Sequence, residues 1–179
     1  MKSDLVLTPL QEQMKLDSPE LLDHKIKEFS CVKDTDVELF LTNNSINYER
    51  KGLSRTYIYI AKESNKAHIA AYFSIAITST SFEGISKNRK ANVLGFKPGR
   101  DTKDHFGGIL IGQLARADGF CSTDINGTEM INHAEKIIEQ GRYYLGGKIV
   151  YLVRAVKTKG NLISFSTGER REPQAFVSC

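Results

Sequence analysis

The sequence has no CxxC pair, no HxxxH spacing, no internal repeat and no low-complexity tract. Its cysteines, Cys31, Cys121 and Cys179, are odd in number and far apart, and its histidines, His24, His68, His105 and His133, are scattered. That excludes a disulfide framework and gives no pattern for a metal site. No apolar run approaches the ~18 residues of a membrane span, and the first residues, MKSDLVLTPLQEQ, lack a signal-peptide core. The expectation is a metal-free protein of a reducing, cytoplasmic setting, away from membranes. The formal charge of +4 is modest too, which argues against a dedicated nucleic-acid binder while leaving room for a basic patch.

What the sequence does hold is enough for a core. Its 179 residues are 40% hydrophobic and 26% charged, which fits one domain and excludes fibrous or wholly disordered classes. The stretch from Gly107 to Gly147 organises the rest. Ile109, Leu110, Ile111, Leu114 and Ala115 form a short apolar run that suits a strand covered on both faces. A polar loop with Gly127 follows, and then Met130, Ile131, Ala134, Ile137, Ile138 and Leu145 recur at helical spacing. Strand, turn and helix in that order place a helix N-terminus beyond a strand. Its first N–H groups lack internal partners and favour an anion such as a pyrophosphate.

Taken in order, Leu5, Leu7 and Leu10 suggest a short strand or docked arm. Ser18 and Pro19 predict a capped helix start through Leu22, and residues 24–31 read as a short strand. Thr35 and Glu38 have capping-box spacing, so a helix is expected over 36–49, closed by Gly52. The β-branched and aromatic runs 54–61 and 67–77 predict an antiparallel hairpin. Residues 78–106 read as a long, partly structured excursion, with Lys87, Arg89, Lys90, Lys97, Arg100 and Lys103 against Glu83, Asp101 and Asp104. A strand is expected over 148–156, parallel to the central one because a helix separates them. One more helix is expected from Asn161 to Phe165, and little regular structure after it.

Several of these segments, read together, resemble the GCN5-related N-acetyltransferases, in particular the subgroup related to acetyltransferase toxins of bacterial toxin–antitoxin pairs. They are FSC (29–31) with its capped helix, SRTY (54–57) after Gly52, AAYFSIAI (70–77), IGQLA (111–115), NGTEMINHAEKII (126–138) and GGKIVYL (146–152). The likeness spans 24–165 of a single domain, 1–179, and leaves 166–179 divergent. It implies an α/β fold: a mixed, mostly antiparallel central sheet with a parallel splayed strand pair and flanking helices. It implies acetyl-coenzyme A as cofactor, its pantetheine arm pairing with Gln113, Leu114 and Ala115. The pyrophosphate would sit on Ser122 to Thr128, which includes Thr123, Asn126 and Gly127. Two departures stand out. In STDING, Thr123 and Ile125 stand where glycine would let amides cradle phosphate, and Asp124 adds a negative charge. Ser166 stands at the position of the family's tyrosine, whose phenol is far the better proton donor to the leaving thiolate.

The reaction implied is transfer of an acetyl group to a primary amine by direct attack, with strand N–H groups stabilising the oxyanion. Partners implied are an aminoacyl-tRNA or small-molecule or protein amine, an antitoxin-like protein and a second copy in a homodimer. The alternative is a degenerate, non-catalytic domain that binds coenzyme A or a partner. No catalytic base is assigned: Glu135 and Glu139 read as solvated helix charge, His68 and His133 as packing or surface groups. Cys121 falls in the loop, where a helix N-terminus can activate a thiol.

Overall fold

A computed structural model of the chain describes residues 5–63, 66–97, 99, 104–146, 149–153 and 163–167. The strands β1 (Leu5–Pro9), β2 (Arg55–Glu63), β3 (Lys66–Ser81), β4 (His105–Arg116), β5 (Ile149–Val153) and β6 (Ile163–Thr167) lie in one sheet in chain order. Neighbours are antiparallel except β4 and β5, which are parallel. Helices α1 (Leu10–Leu16), α2 (Pro19–Lys27), α3 (Thr35–Leu39) and α4 (Ser45–Lys51) precede β2. Helix α5 (Lys87–Leu94) joins β3 to β4, and α6 (Gly127–Leu145) joins β4 to β5.

Local chemistry explains the helix ends. Ser18 Oγ accepts the Leu21 N–H at 3.3 Å and Pro19 occupies the first turn. The helix then runs to Lys27, so the strand expected over 24–31 does not form. Leu22 and Ile26, four residues apart and both buried, set a helical period that outweighs the β character of that stretch. Asp34, rather than Thr35, caps α3, and Glu38 turns its carboxylate to the Cys31 N–H at 2.7 Å instead of closing a capping box. The helix expected over 36–49 is present in pieces: α3, a π-helical turn over Phe40–Asn44, and α4. Gly52 ends it at φ 68°, a conformation that favours glycine.

The sheet is sandwiched between two helical layers. Leu10, Leu22, Ile26, Phe29, Leu41, Ile58 and Tyr72 form the core under α1 to α4. Phe73, Ile111, Met130, Ala134 and Ile138 form the core under α6. Tyr72 and Phe73 are adjacent, both fully buried, and face opposite layers, as the two-residue period of a strand requires. Truncating a buried aromatic of this kind to alanine costs about 3–5 kcal/mol. The expectation for α6 holds at Met130, Ile131, Ala134 and Ile138, but Leu145 is 82% exposed, as Tyr143 and Tyr144 beside it in the last turn are too.

Two stretches differ from expectation. The excursion over 78–106 is largely built: β3 continues to Ser81, β4 begins at His105, and Phe82 and Leu94 are buried against Phe106 between them. The helix expected from Asn161 is instead β6, paired antiparallel to β5 from Ile149↔Thr167 to Val153↔Ile163. Ile163, Phe165 and Thr167 alternate with Ser164 and Ser166, a strand period. The strand also enters the tail expected to lack regular structure; residues 168–179 lie outside the described residues.

Candidate functional site

The central feature is the parallel seam between β4 and β5. Its register is Ile109↔Val150, Leu110↔Tyr151 and Ile111↔Leu152. From Gly112 onward, among the described residues, β4 pairs with β3 alone. The residues after Val153 lie outside the described residues, and the splay expected beyond this point lies there with them.

A bulge marks the same place. In the β3–β4 ladder Phe73 pairs with Leu114 and Ile75 with Ile111, so Ser74 faces both Gly112 and Gln113. The extra residue reverses the alternation of β4. Ile109, Ile111 and Leu114 pack toward α6, whereas Ala115 and Ala117 pack into the opposite layer. Ser74 is buried, and its Oγ accepts the Gln113 N–H at 3.0 Å. Gly112 leaves room for that hydroxyl: a Cβ on it would lie 3.3 Å from Ser74 Oγ, a tight contact.

Beyond β4 the chain makes a loop before α6, held by side chains rather than by glycine. Arg116 donates from Nε to the Phe120 carbonyl at 3.1 Å and from its guanidinium to the Ile125 carbonyl at 2.8 Å. The Asp118 N–H donates to the Ser30 carbonyl at 2.9 Å, and Asp118 Oδ2 accepts from Ser30 Oγ at 2.6 Å and the Val32 N–H at 3.0 Å. These bonds, the Ser30 hydroxyl's first, hold the Asp118 carboxyl below the usual carboxylate range. Asp124 Oδ2 accepts from the Cys121 thiol at 2.9 Å and the Cys121 N–H at 2.8 Å, and its pKa is lowered for the same reason. Asp124 thus turns its charge onto its own loop. Cys121 spends its thiol as a donor to that carboxylate, beside Thr123 Oγ1 at 2.8 Å.

Ile125 is 1% exposed, so its side chain is a plug in the α6 core rather than an obstacle in a phosphate cradle. Asn126 Oδ1 caps α6 by accepting the Glu129 N–H at 2.8 Å. Gly127 and Thr128 supply the first helical N–H groups, which have no acceptor within the helix. A Cβ on Gly127 would meet nothing within 4 Å. Ser122, Thr123 and Thr128 are exposed.

The structure therefore brings Gln113 to Ala115 and Ser122 to Thr128 to the same end of β4. Ser166 is elsewhere by register: it pairs with Val150, which pairs with Ile109, on the far side of the seam from the bulge. Its side chain lies outside the described residues. Other titratable groups pair with one another or stand on the surface. His133 Nδ1 lies 2.8 Å from the hydroxyl of Tyr59, whose pKa burial, then Glu129, pushes up. His24 and His68 both face the Glu28 carboxylate, and Glu135 and Glu139 are exposed on α6. A cleft of about 620 Å³ opens at the other end of β4, lined by Arg55, Tyr57, Gly107, Gly108, Ile137 and Gly141 among others. Among the described residues no cluster of three or more His, Cys, Asp or Glu could hold a metal.

Sequence reasoning missed Arg116, Ser74 and the Ser30–Asp118 link. Arg116 carried a readable signal, a charged residue ending an apolar strand; the other two are long-range pairings with no local signature.

No family model matches the chain and no curated protein matches it. Solved structures do. AtaT complexed with acetyl-methionyl-tRNAfMet is similar at a TM-score of 0.63 and 16% identity, over 86% of this chain and 80% of that one. A tyrosine-to-phenylalanine mutant of KacT is similar at a TM-score of 0.64 and 10% identity, over 86% and 79%. AtaTR bound with AcCoA is similar at a TM-score of 0.59 and 16% identity, over 88% and 78%. The chain therefore has the fold of the AtaT and KacT structures, the mixed, mostly antiparallel sheet with flanking helices that its resemblance to the GCN5-related N-acetyltransferases implies.

Proposed function

We propose that the protein is an N-acetyltransferase that takes its acetyl group from acetyl-coenzyme A. The observation that carries this reading is the coincidence, at one end of β4, of the bulge and the N-terminus of α6, in a sheet where β4 and β5 run parallel. A pantetheine arm needs strand edge to pair with, and this reading assigns it Gln113 to Ala115, beyond the described pairs of β4 with β5. A pyrophosphate needs N–H groups and positive potential, and Gly127 and Thr128 provide both. AtaTR has been solved with AcCoA, on the same fold. When bound, the cofactor supplies an acetyl thioester, already activated toward amines.

The chain's own residues then do three things. Gln113 sends its N–H to Ser74, so the alternation of strand amides turns that of Leu114 away from β3, where it can stabilise an oxyanion. Ser122 to Thr128 anchor the remote phosphates and so fix the reacting end. The cleft lined by Gly107 and Gly108 lets an acceptor amine reach β4 from the end opposite the cofactor loop. Proton donation to the leaving thiolate is not assigned to Ser166, whose position by register is away from the bulge.

For the acceptor, an aminoacyl-tRNA is favoured by one observation. Lys87, Arg89 and Lys97 are exposed on and after α5, while Lys90 is tied to Asp104. Three exposed cations on one insertion supply salt-sensitive phosphate contacts. AtaT is solved with acetyl-methionyl-tRNAfMet and with the C-terminus of the antitoxin AtaR, which makes an antitoxin-like protein the matching partner class.

Isothermal titration with acetyl-coenzyme A and with coenzyme A tests the proposal. Micromolar binding that Gly127→Glu weakens, without loss of thermal stability, supports it. A folded protein that binds neither ligand sinks the enzyme reading and leaves a partner-binding domain.

A further inference from the structure

The cleft at the start of β4 has one charged side chain in its described wall, that of Arg55, and this side chain is held from behind. Arg55 opens β2, half-exposed, and donates from Nη1 to the Glu49 carboxylate at 2.8 Å and to the Glu49 carbonyl at 3.1 Å. Glu49, on α4, has a side chain only 2% exposed, and its other carboxylate oxygen accepts the Thr56 N–H. Both bonds of the arginine leave through one nitrogen, so Nε and Nη2 have no hydrogen-bond partner among the described residues. A guanidinium is a rigid planar fork, and anchoring one nitrogen restricts where the others can point. The same cleft is walled by Ile75, Ile77, Ile109 and Ile137, and no Asp or Glu lines it among the described residues. Arg55 is also placed near the seam by register. It pairs with Ile75, and Ile75 with Ile111, the last described β4 residue that pairs with β5. Two strand spacings put it about 10 Å across the sheet from that point, a span that an amine with a short arm can bridge.

We infer that Arg55 is a specificity-determining residue for the acceptor: it binds an acceptor oxygen, carbonyl or anionic, while the isoleucines take an apolar arm. The inference rests on the acetyltransferase reading above and narrows its acceptor. An amine flanked by an apolar arm and an oxygen, as in an aminoacyl group, matches the wall. A polyamine does not, because its second ammonium would meet the Arg55 charge with no carboxylate in the described wall to neutralise it. The Glu49 carboxylate does not serve that purpose, since it is buried and turned onto Arg55 and Thr56.

The test is acetylation of leucinamide, 3-methylbutylamine, spermidine and leucyl-tRNA by the wild type, by Arg55→Lys and by Glu49→Gln combined with Arg55→Met. The combined variant leaves no buried charge unpaired. Leucinamide and 3-methylbutylamine differ only by the carboxamide. Their unequal basicity cancels when the ratio of their kcat/KM values is compared between proteins. That ratio is expected to fall about tenfold or more from the wild type to the combined variant, with the KM for acetyl-coenzyme A within about twofold. Arg55→Lys is expected to fall between, since an ammonium lacks the fork, and it carries the comparison should the combined variant fail to fold. Spermidine is expected to be a poorer substrate than 3-methylbutylamine. A lowered ratio assigns the oxygen to the aminoacyl carbonyl; a raised KM for leucyl-tRNA alone assigns it to the RNA, and either supports the inference. Equal loss for every acceptor, no change in any, spermidine preferred over 3-methylbutylamine, or acetyl-coenzyme A binding with none of the four acetylated overturns it. If the wild type does not bind acetyl-coenzyme A, the enzyme reading itself has failed and the inference with it, a result separable from failure of the arginine's role alone.

Discussion

Ser74 and Gln113 are joined across the β3–β4 ladder at the bulge, the Gln113 N–H donating to Ser74 Oγ at 3.0 Å. A side chain here does what a backbone carbonyl does in a regular ladder. Ser74→Ala leaves a strand amide without its acceptor inside the sheet, which costs about 1–3 kcal/mol. Urea unfolding measures it. Gly112→Ala is expected to destabilise as well, since its methyl would press on Ser74 Oγ at 3.3 Å. The two effects should be less than additive, because removing the hydroxyl also removes the contact.

Ile125 and Thr123 are both non-glycine loop residues, with opposite consequences. Ile125→Ala is expected to cost about 2–5 kcal/mol, the price of emptying a core site. Thr123→Ala, at an exposed position, should stay within about 0.5 kcal/mol of the wild type. Equal effects in denaturant titrations would show that the loop is not plugged as described.

Asn126→Ala removes the cap from the Glu129 N–H, and a loss of about 1 kcal/mol is expected. Asn126→Asp should keep the cap in the apo protein but weaken coenzyme A binding, by placing a carboxylate beside the proposed phosphate site. Thermal shift and calorimetry on the same samples separate the two effects.

Asp118 and Asp124 have folded-state pKa values below their ordinary ones, through accepted hydrogen bonds. A depressed carboxylate stabilises the fold above its unfolded value and loses that contribution as pH falls through the folded one. The loop should therefore loosen below about pH 4, where ordinary carboxyls begin to protonate. Melting temperatures from pH 6 to 3 should fall less steeply in Asp118→Asn with Asp124→Asn than in the wild type.

Much of the frame was readable because it rests on local periodicity. The hairpin of β2 and β3, the cap at Ser18, the apolar face of α6 through Ile138 and the parallel return to β5 all follow from residues close in sequence. Where readings failed, competing local signals were nearly balanced. Leu22 and Ile26 carried α2 into a stretch that also reads as strand. The alternation of Ile163, Phe165 and Thr167 was too short to outweigh a helical reading. At the site, the helix start at Gly127 was visible, but the inward role of Ile125 and the grip of Arg116 depend on where the loop folds back. Periodicity does not encode that.

The parallel seam also bears on how the chain reaches its native state. Strands β2 and β3 form a hairpin, so their contacts can form between neighbouring segments, whereas β1 reaches β2 across α1 to α4 and β4 reaches β3 across α5. Joining β5 to β4 requires the whole of α6 to be in place first, and the described ladder then offers three register pairs. Non-local, parallel pairing of this kind is slow because loop closure precedes its reward. The seam is consequently expected to assemble after the β2–β3 hairpin, both in refolding and as the chain emerges during synthesis. Amide exchange should show β5 and β6 opening well before that hairpin does.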